Sequence, residues 1–303
     1  MVVGKNQLVW AFFEGGFWIW NKFIEIAMKL FNTSPLEASS GTLVGTISPI
    51  YHALLGIGLS LAVVFFLIAI IKETISAPHG QQGHRLILSG LKYAVILGIL
   101  SNLWEIMGAI INITDQITSS SSSTVEVTLS VSEELKSLID QAFATPPAFE
   151  ITDISGSLGN WLLYSVAYVF CIILGIVTLF VIVASCISIL SSAFQRIIKP
   201  LIIMPFAAIM VAAGAGTGDS ERIMWNFFKT FFGFCLSGAA MIICIRLGVA
   251  LCNGILVFPE PEFGSDYGSV LKTMVMVSLQ VAITPIVVAG LIKGVDGIIQ
   301  RFL

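Results

Sequence analysis

Charge is the scarcest commodity in this chain. Only 11% of its 303 residues are Asp, Glu, Lys or Arg, while 56% are hydrophobic and the mean hydropathy is +0.96. Soluble domains carry about 25% charged residues. So little charge cannot coat a soluble globule, and lipid must solvate much of the surface. The formal charge of −3 and the lack of a Lys/Arg block argue against bulk nucleic-acid binding. Metal chemistry is also poorly served. Cys171, Cys186, Cys235, Cys244 and Cys252 all lie in apolar runs, with no CxxC and no Cys/His cluster at zinc spacing. They read as thiols used as small hydrophobes. His79 and His84 flank GQQG with no acid nearby, which suits a loop.

Catalytic signatures are missing too. No HExxH, GxSxG or paired membrane aspartate appears, so no catalytic residue is assigned. Gly214 to Gly218 (GAGTG) resembles a phosphate loop only superficially, because no GK[ST] follows it. It reads as a flexible break. The expectation is a non-enzymatic protein without cofactor or metal. A cleavable signal peptide is not expected either, since the first apolar stretch, Leu8 to Phe13, ends at Glu14.

What is present is a series of long apolar runs. They predict an all-α, polytopic membrane helix bundle of about five transmembrane helices. Residues 1–48 hold an amphipathic helix and a loop. Glu14, Asn21, Glu25 and Lys29 form a polar stripe, and Trp10, Phe13, Phe17, Trp20, Phe23, Ile24 and Phe31 cover much of the rest. Trp10, Trp18 and Trp20 suggest a helix lying in the membrane interface. The alternative is a helix packed on the protein's own spans. Residues 49–111 hold two spans, 49–71 opened by Pro49 and 86–111. A polar, Ser-rich, acidic segment follows at 112–157. Residues 158–303 hold three more spans, a short apolar run at 201–216 and an amphipathic tail.

The basic residues set the expected orientation. Segment 112–157 has seven acids, Asp115 among them, and one base, Lys136, which places it outside. Run 201–216 is short, is flanked or broken by Pro200 and Pro205, and ends in glycines. Leaving aside residues 1–48 and the intramembrane Lys92 and Arg246, the bases divide five inside and five outside if it crosses; if it does not, eight fall inside and two outside. The second count predicts a re-entrant or interfacial hairpin on the cytoplasmic side, with the N-terminus outside and the C-terminus inside. Three ionisable residues lie within spans. Lys92 and Glu105 are near span ends, where they can snorkel. Arg246 lies mid-span, at a cost of roughly 2.5–3.5 kcal/mol on insertion scales. It is expected to face a pore or an interface, with Glu105 as a candidate partner. Gly41/Gly45 and Gly290/Gly294 are weak GxxxG signals.

Residues 191–232 read SSAFQRIIKPLIIMPFAAIMVAAGAGTGDSERIMWNFFKTFF. This segment resembles the TrbL-type polytopic subunit of type IV secretion and conjugation machines. The resemblance rests on Arg196, Lys199, Pro200, Leu201, Pro205, Asp219, Arg222 and Trp225, and on the span layout. The external segment is short and no large C-terminal soluble domain is present, which suits a minimal version. The resemblance implies a channel or scaffold subunit of the bacterial cytoplasmic membrane. Its partners would be other secretion subunits, ATPases and, transiently, a single-stranded DNA–protein substrate, and it would form homo-oligomers. A small-solute transporter, or an anchor for another secretion or phage complex, are the competing expectations.

Overall fold

Helix is dictated wherever an apolar backbone must satisfy its own hydrogen bonds without water. The computed structural model describes residues 7–36, 43–76, 82–121, 154–255 and 267–302. Among these the chain is all-α: α1 (Gln7–Asn32), α2 (Leu43–Ser76), α3 (Gln82–Ser101), α4 (Leu103–Ser121), α5 (Ile154–Ile203), α6 (Ala207–Ala212), α7 (Asp219–Ile255) and α8 (Tyr267–Phe302). Short 3-10 turns, Met204–Phe206 and Ala213–Ala215, flank α6. Five helical stretches among the described residues are long and apolar enough to cross a membrane. The chain is a polytopic membrane helix bundle.

The helices fall into two compact units, and α1, α5, α7 and α8 contribute residues to both. In the first unit, Phe13 and Phe17 of α1 pack with Ala167 and Cys171 of α5 and Met274 of α8. Gly175 lets α5 approach closely; a Cβ there would sit 3.2 Å from Phe12 and Phe13. The buried positions of α1 are Phe13, Phe17, Trp20, Ile24, Ala27 and Phe31, one stripe at helical spacing. The polar stripe lies opposite, with Glu14, Glu25 and Lys29 exposed. Trp20 is completely buried, so it is not an interfacial anchor. The apolar face of α1 packs on protein, as the alternative sequence reading had it. Trp18 is 65% exposed, and the side chain of Trp10 lies outside the described residues.

The second unit is built from the end of α1, all of α2, α3 and α4, the end of α5 with α6, the first part of α7 and the end of α8. Helix α2 runs antiparallel to α3–α4. Phe66 stacks on Tyr93 at 4.3 Å between centroids, and Tyr51 meets Trp104 at 4.9 Å. Helix α2 starts at Leu43, six residues before Pro49, so Pro49 does not open it. The expected 86–111 span is two helices, interrupted at Asn102. The Asn102 side-chain amide donates to the Gly98 carbonyl at 3.0 Å, competing locally with the helix ladder.

Helix α4 then continues to Ser121, well into the stretch expected to be an external loop. Its hydroxyls explain why. Thr114 donates to the Ile110 carbonyl at 3.0 Å, Thr118 to Thr114 at 2.8 Å and Ser120 to Gln116 at 2.8 Å. Each hydroxyl is satisfied inside the helix, so none is left to compete for it elsewhere. The remaining acids of the segment and Lys136 lie outside the described residues, as do His79 and Gly41.

Run 201–216, expected as a Pro/Gly-broken hairpin, is helical. It extends α5 as nearly continuous helix to Ala215. Pro205 sits in the first 3-10 turn and Gly214 in the second, so the helix changes pitch without stopping. The run is largely buried, and α6 packs on the middle of α2. A Cβ at Gly58 would come within 2.8 Å of the Ala208 backbone. With Ala62 four residues on and Ala212 opposite, this is a small-residue seam. The chain turns at Gly216–Gly218, where Gly218 adopts φ 66°, and returns as α7. A left-handed residue of this kind favours glycine.

Candidate functional site

Two polar clusters mark the two ends of the second unit. The deeper one centres on Arg196. Its side chain is 1% exposed and its Nη2 donates to Asp115 Oδ1 at 3.1 Å. Nη1 reaches the Leu30 carbonyl, in the last turn of α1, at 3.4 Å. A helix C-terminus carries partial negative charge, so this contact also favours the cation. Gly238 of α7 completes the cluster, because any Cβ there would overlap the guanidinium. Four helices thus meet at one buried charge. The pairing is single-armed, as Arg196 Nε and Asp115 Oδ2 make no hydrogen bond. Three residues on, Lys199 lies 5.7 Å from the centroid of the Phe234 ring.

This pair overturns one expectation. Asp115 was placed outside and Arg196 inside. An ion pair of 3.1 Å cannot bridge a hydrocarbon core ~30 Å thick, so both lie at one depth. Arg196 is neutralised by its partner and does not vote on orientation.

The second cluster centres on Lys92. Its Nζ donates to Glu221 Oε2 at 2.6 Å and to the Gly216 carbonyl at 2.8 Å. It therefore ties α3 to the tip of the hairpin and to the start of α7. Next to it, Ser89 donates to Glu73 across α2 and α3. Lys92 is thus a clasp as well as a candidate for snorkelling. From Arg196 to Gly216 is about 20 helical residues, or ~30 Å at 1.5 Å each. That length of helix is about one hydrocarbon thickness.

No protein-family model, curated protein or solved structure matches this chain. The reading therefore rests on the residues themselves.

The structure distributes the remaining candidates as follows. Pro200, Leu201 and Pro205 are buried in the hairpin arm, and Asp219, Arg222 and Trp225 are exposed beyond its tip. Asp219 and Glu221 occupy the first turn of α7, where acids favour the helix dipole. Arg246 belongs to the first unit and is half-buried; nearby Gly248 packs within 2.9 Å of Val288, as measured from a built Cβ. Glu105 belongs to the second unit and is exposed in the first turn of α4. Gly45, Gly290 and Gly294 have open space around them, so those GxxxG signals mark no contact with described neighbours. Sequence reading missed Asp115 as a partner, Gly238 and Gly58. Asp115 lies 81 residues from Arg196, and no local pattern links them. Gly58 and Ala62 did carry a legible signal, a small-xxx-small pair in mid-span.

Proposed function

We propose that the chain is a non-enzymatic channel or scaffold subunit of a TrbL-type type IV secretion machine in a bacterial cytoplasmic membrane. One observation supports this above others. The segment that carries the resemblance, 191–232, folds as one helical hairpin whose distinctive residues have structural jobs. Arg196 anchors one end, Pro205 changes the helix pitch, the glycines turn the chain, and Glu221 takes Lys92. A hairpin pinned at both ends suits a rigid wall element of an assembly. The proposed orientation puts the hairpin tip and the α2–α3 connection in the cytoplasm. Lys72, Arg85, Arg222 and Lys229 favour that end. The Ser120 end of α4 then faces outward. Secretion partners and a transient DNA–protein substrate belong to the same proposal.

The test is cross-linking during transfer. A photoreactive residue at Thr217 or Ser120 in the assembled machine is expected to capture translocating single-stranded DNA or a neighbouring subunit. Capture of neighbours without DNA would make the chain an anchor. Solute uptake by the protein alone in liposomes would replace the proposal with a transporter.

A further inference from the structure

Beyond the hairpin tip, α7 presents Arg222, Trp225, Asn226 and Lys229 at spacings of three, four and seven, all on one exposed face. Trp225 is 57% exposed and its neighbour Ile223 46%. Neither cation of this face forms an ion pair among the described residues. The nearest acid on the helix, Glu221, is paired with Lys92. Asp219, exposed one turn before Arg222, continues the same face, which leaves two cations against one acid there. Lys72 and Arg85, near the Glu73–Ser89 contact, add positive charge to the same end.

We infer that this face is a binding site for anionic phospholipid headgroups. An indole prefers the headgroup level, where its apolar body meets chains and its N–H meets water. Two cations one turn to either side of it supply the complement to a lipid phosphate. Helix α7 is long and apolar enough to cross a membrane, and its polar first turns, beyond the apolar stretch, suit the headgroup level. Nucleic acid could also stack on an exposed indole between cations. The apolar length of the helix that carries the face, enough to cross a membrane, favours lipid. The inference needs only that α7 spans, and it stands or falls independently of the secretion role.

The experiment uses the full-length protein in nanodiscs of phosphatidylcholine. Each preparation contains the same minor fraction of brominated phosphatidylglycerol or brominated phosphatidylcholine. Bromine quenches nearby tryptophan, and the Trp225 contribution is the difference between wild type and Trp225→Phe. The expected result is preferential quenching by the anionic lipid, by roughly fivefold in local enrichment per cation engaged. The preference is expected to fall with added salt and to vanish in the Arg222→Gln/Lys229→Gln variant, checked for helicity by circular dichroism. Equal quenching by the two lipids overturns the inference. So does a preference that salt leaves untouched, a readout that serves if the double variant fails to fold. Quenching relieved only by added single-stranded DNA would reassign the face to nucleic acid.

Discussion

Removing Asp115 should unfold the second unit far more readily than removing both members of its pair. Asp115→Ala leaves a guanidinium that is 1% exposed with no counter-charge. Breaking a buried pair in this way costs about 3–5 kcal/mol. Arg196→Met leaves the milder defect, since the Asp115 side chain retains 17% exposure and some solvation. About 1.5–3 kcal/mol, the scale of a charge-assisted hydrogen bond, is expected for that change. The double variant, Asp115→Ala with Arg196→Met, replaces a single-armed pair by apolar groups. It should come within about 1–2 kcal/mol of wild type, because such replacements are often close to neutral. The coupling energy is then roughly 5 kcal/mol, above the ~0.5–3 kcal/mol usual for contacting residues, as suits a buried charge. Reversible unfolding in mixed micelles measures it, followed by helical circular dichroism and by maleimide access to buried Cys235. If the double variant loses as much as the two single variants together, the residues do not form a pair and the site described here is wrong.

Gly238 should be replaceable only when Arg196 is shortened. Gly238→Ala is expected to be strongly destabilising, with Arg196→Ala in the same chain restoring detergent stability; persistence of the defect would show that another contact excludes the methyl. Gly58→Ala forces α2 away from the Ala208 backbone and should cost about 1–3 kcal/mol, the usual range for overpacking. Gly290→Ala has open space around it and should be neutral or gain up to about 1 kcal/mol from helix propensity, so a thermal-melt comparison of the two glycines is a direct contrast. Lys92→Met removes a clasp whose members are 30% and 43% exposed, and should cost no more than about 1 kcal/mol while increasing protease cleavage near Gly216.

Hydropathy made the long helices legible, because apolar backbone in lipid has little choice but helix. The stripe of α1 was equally plain, although periodicity does not say what covers it. Trp20 shows the gap: its buried place in the stripe was readable, its burial against protein was not. Polar content misled at the end of α4, where Thr114, Thr118 and Ser120 return their hydroxyls to the helix carbonyls. Proline misled at 200–216, where neighbouring helices cover a run that looked too broken to continue. The Arg196–Asp115 pair was invisible for a different reason. A charge census assigns each ionisable residue to a side singly, whereas a buried pair acts as one neutral group. Lys92 was noticed as an intramembrane charge, but its partners are 124 and 129 residues away.

Sided cysteine labelling of Ser120→Cys and Thr217→Cys, each in a Cys-free background, tests the central claim most directly. Ser120 lies five residues beyond Asp115 in α4 and Thr217 lies next to Gly216, so they adjoin the Arg196 and Lys92 clusters respectively. Thr217→Cys is expected to react only from the cytoplasmic side and Ser120→Cys only from the other. Labelling of both from the same side would contradict the account, because a hairpin pinned at Arg196 and Lys92 could not then traverse the membrane.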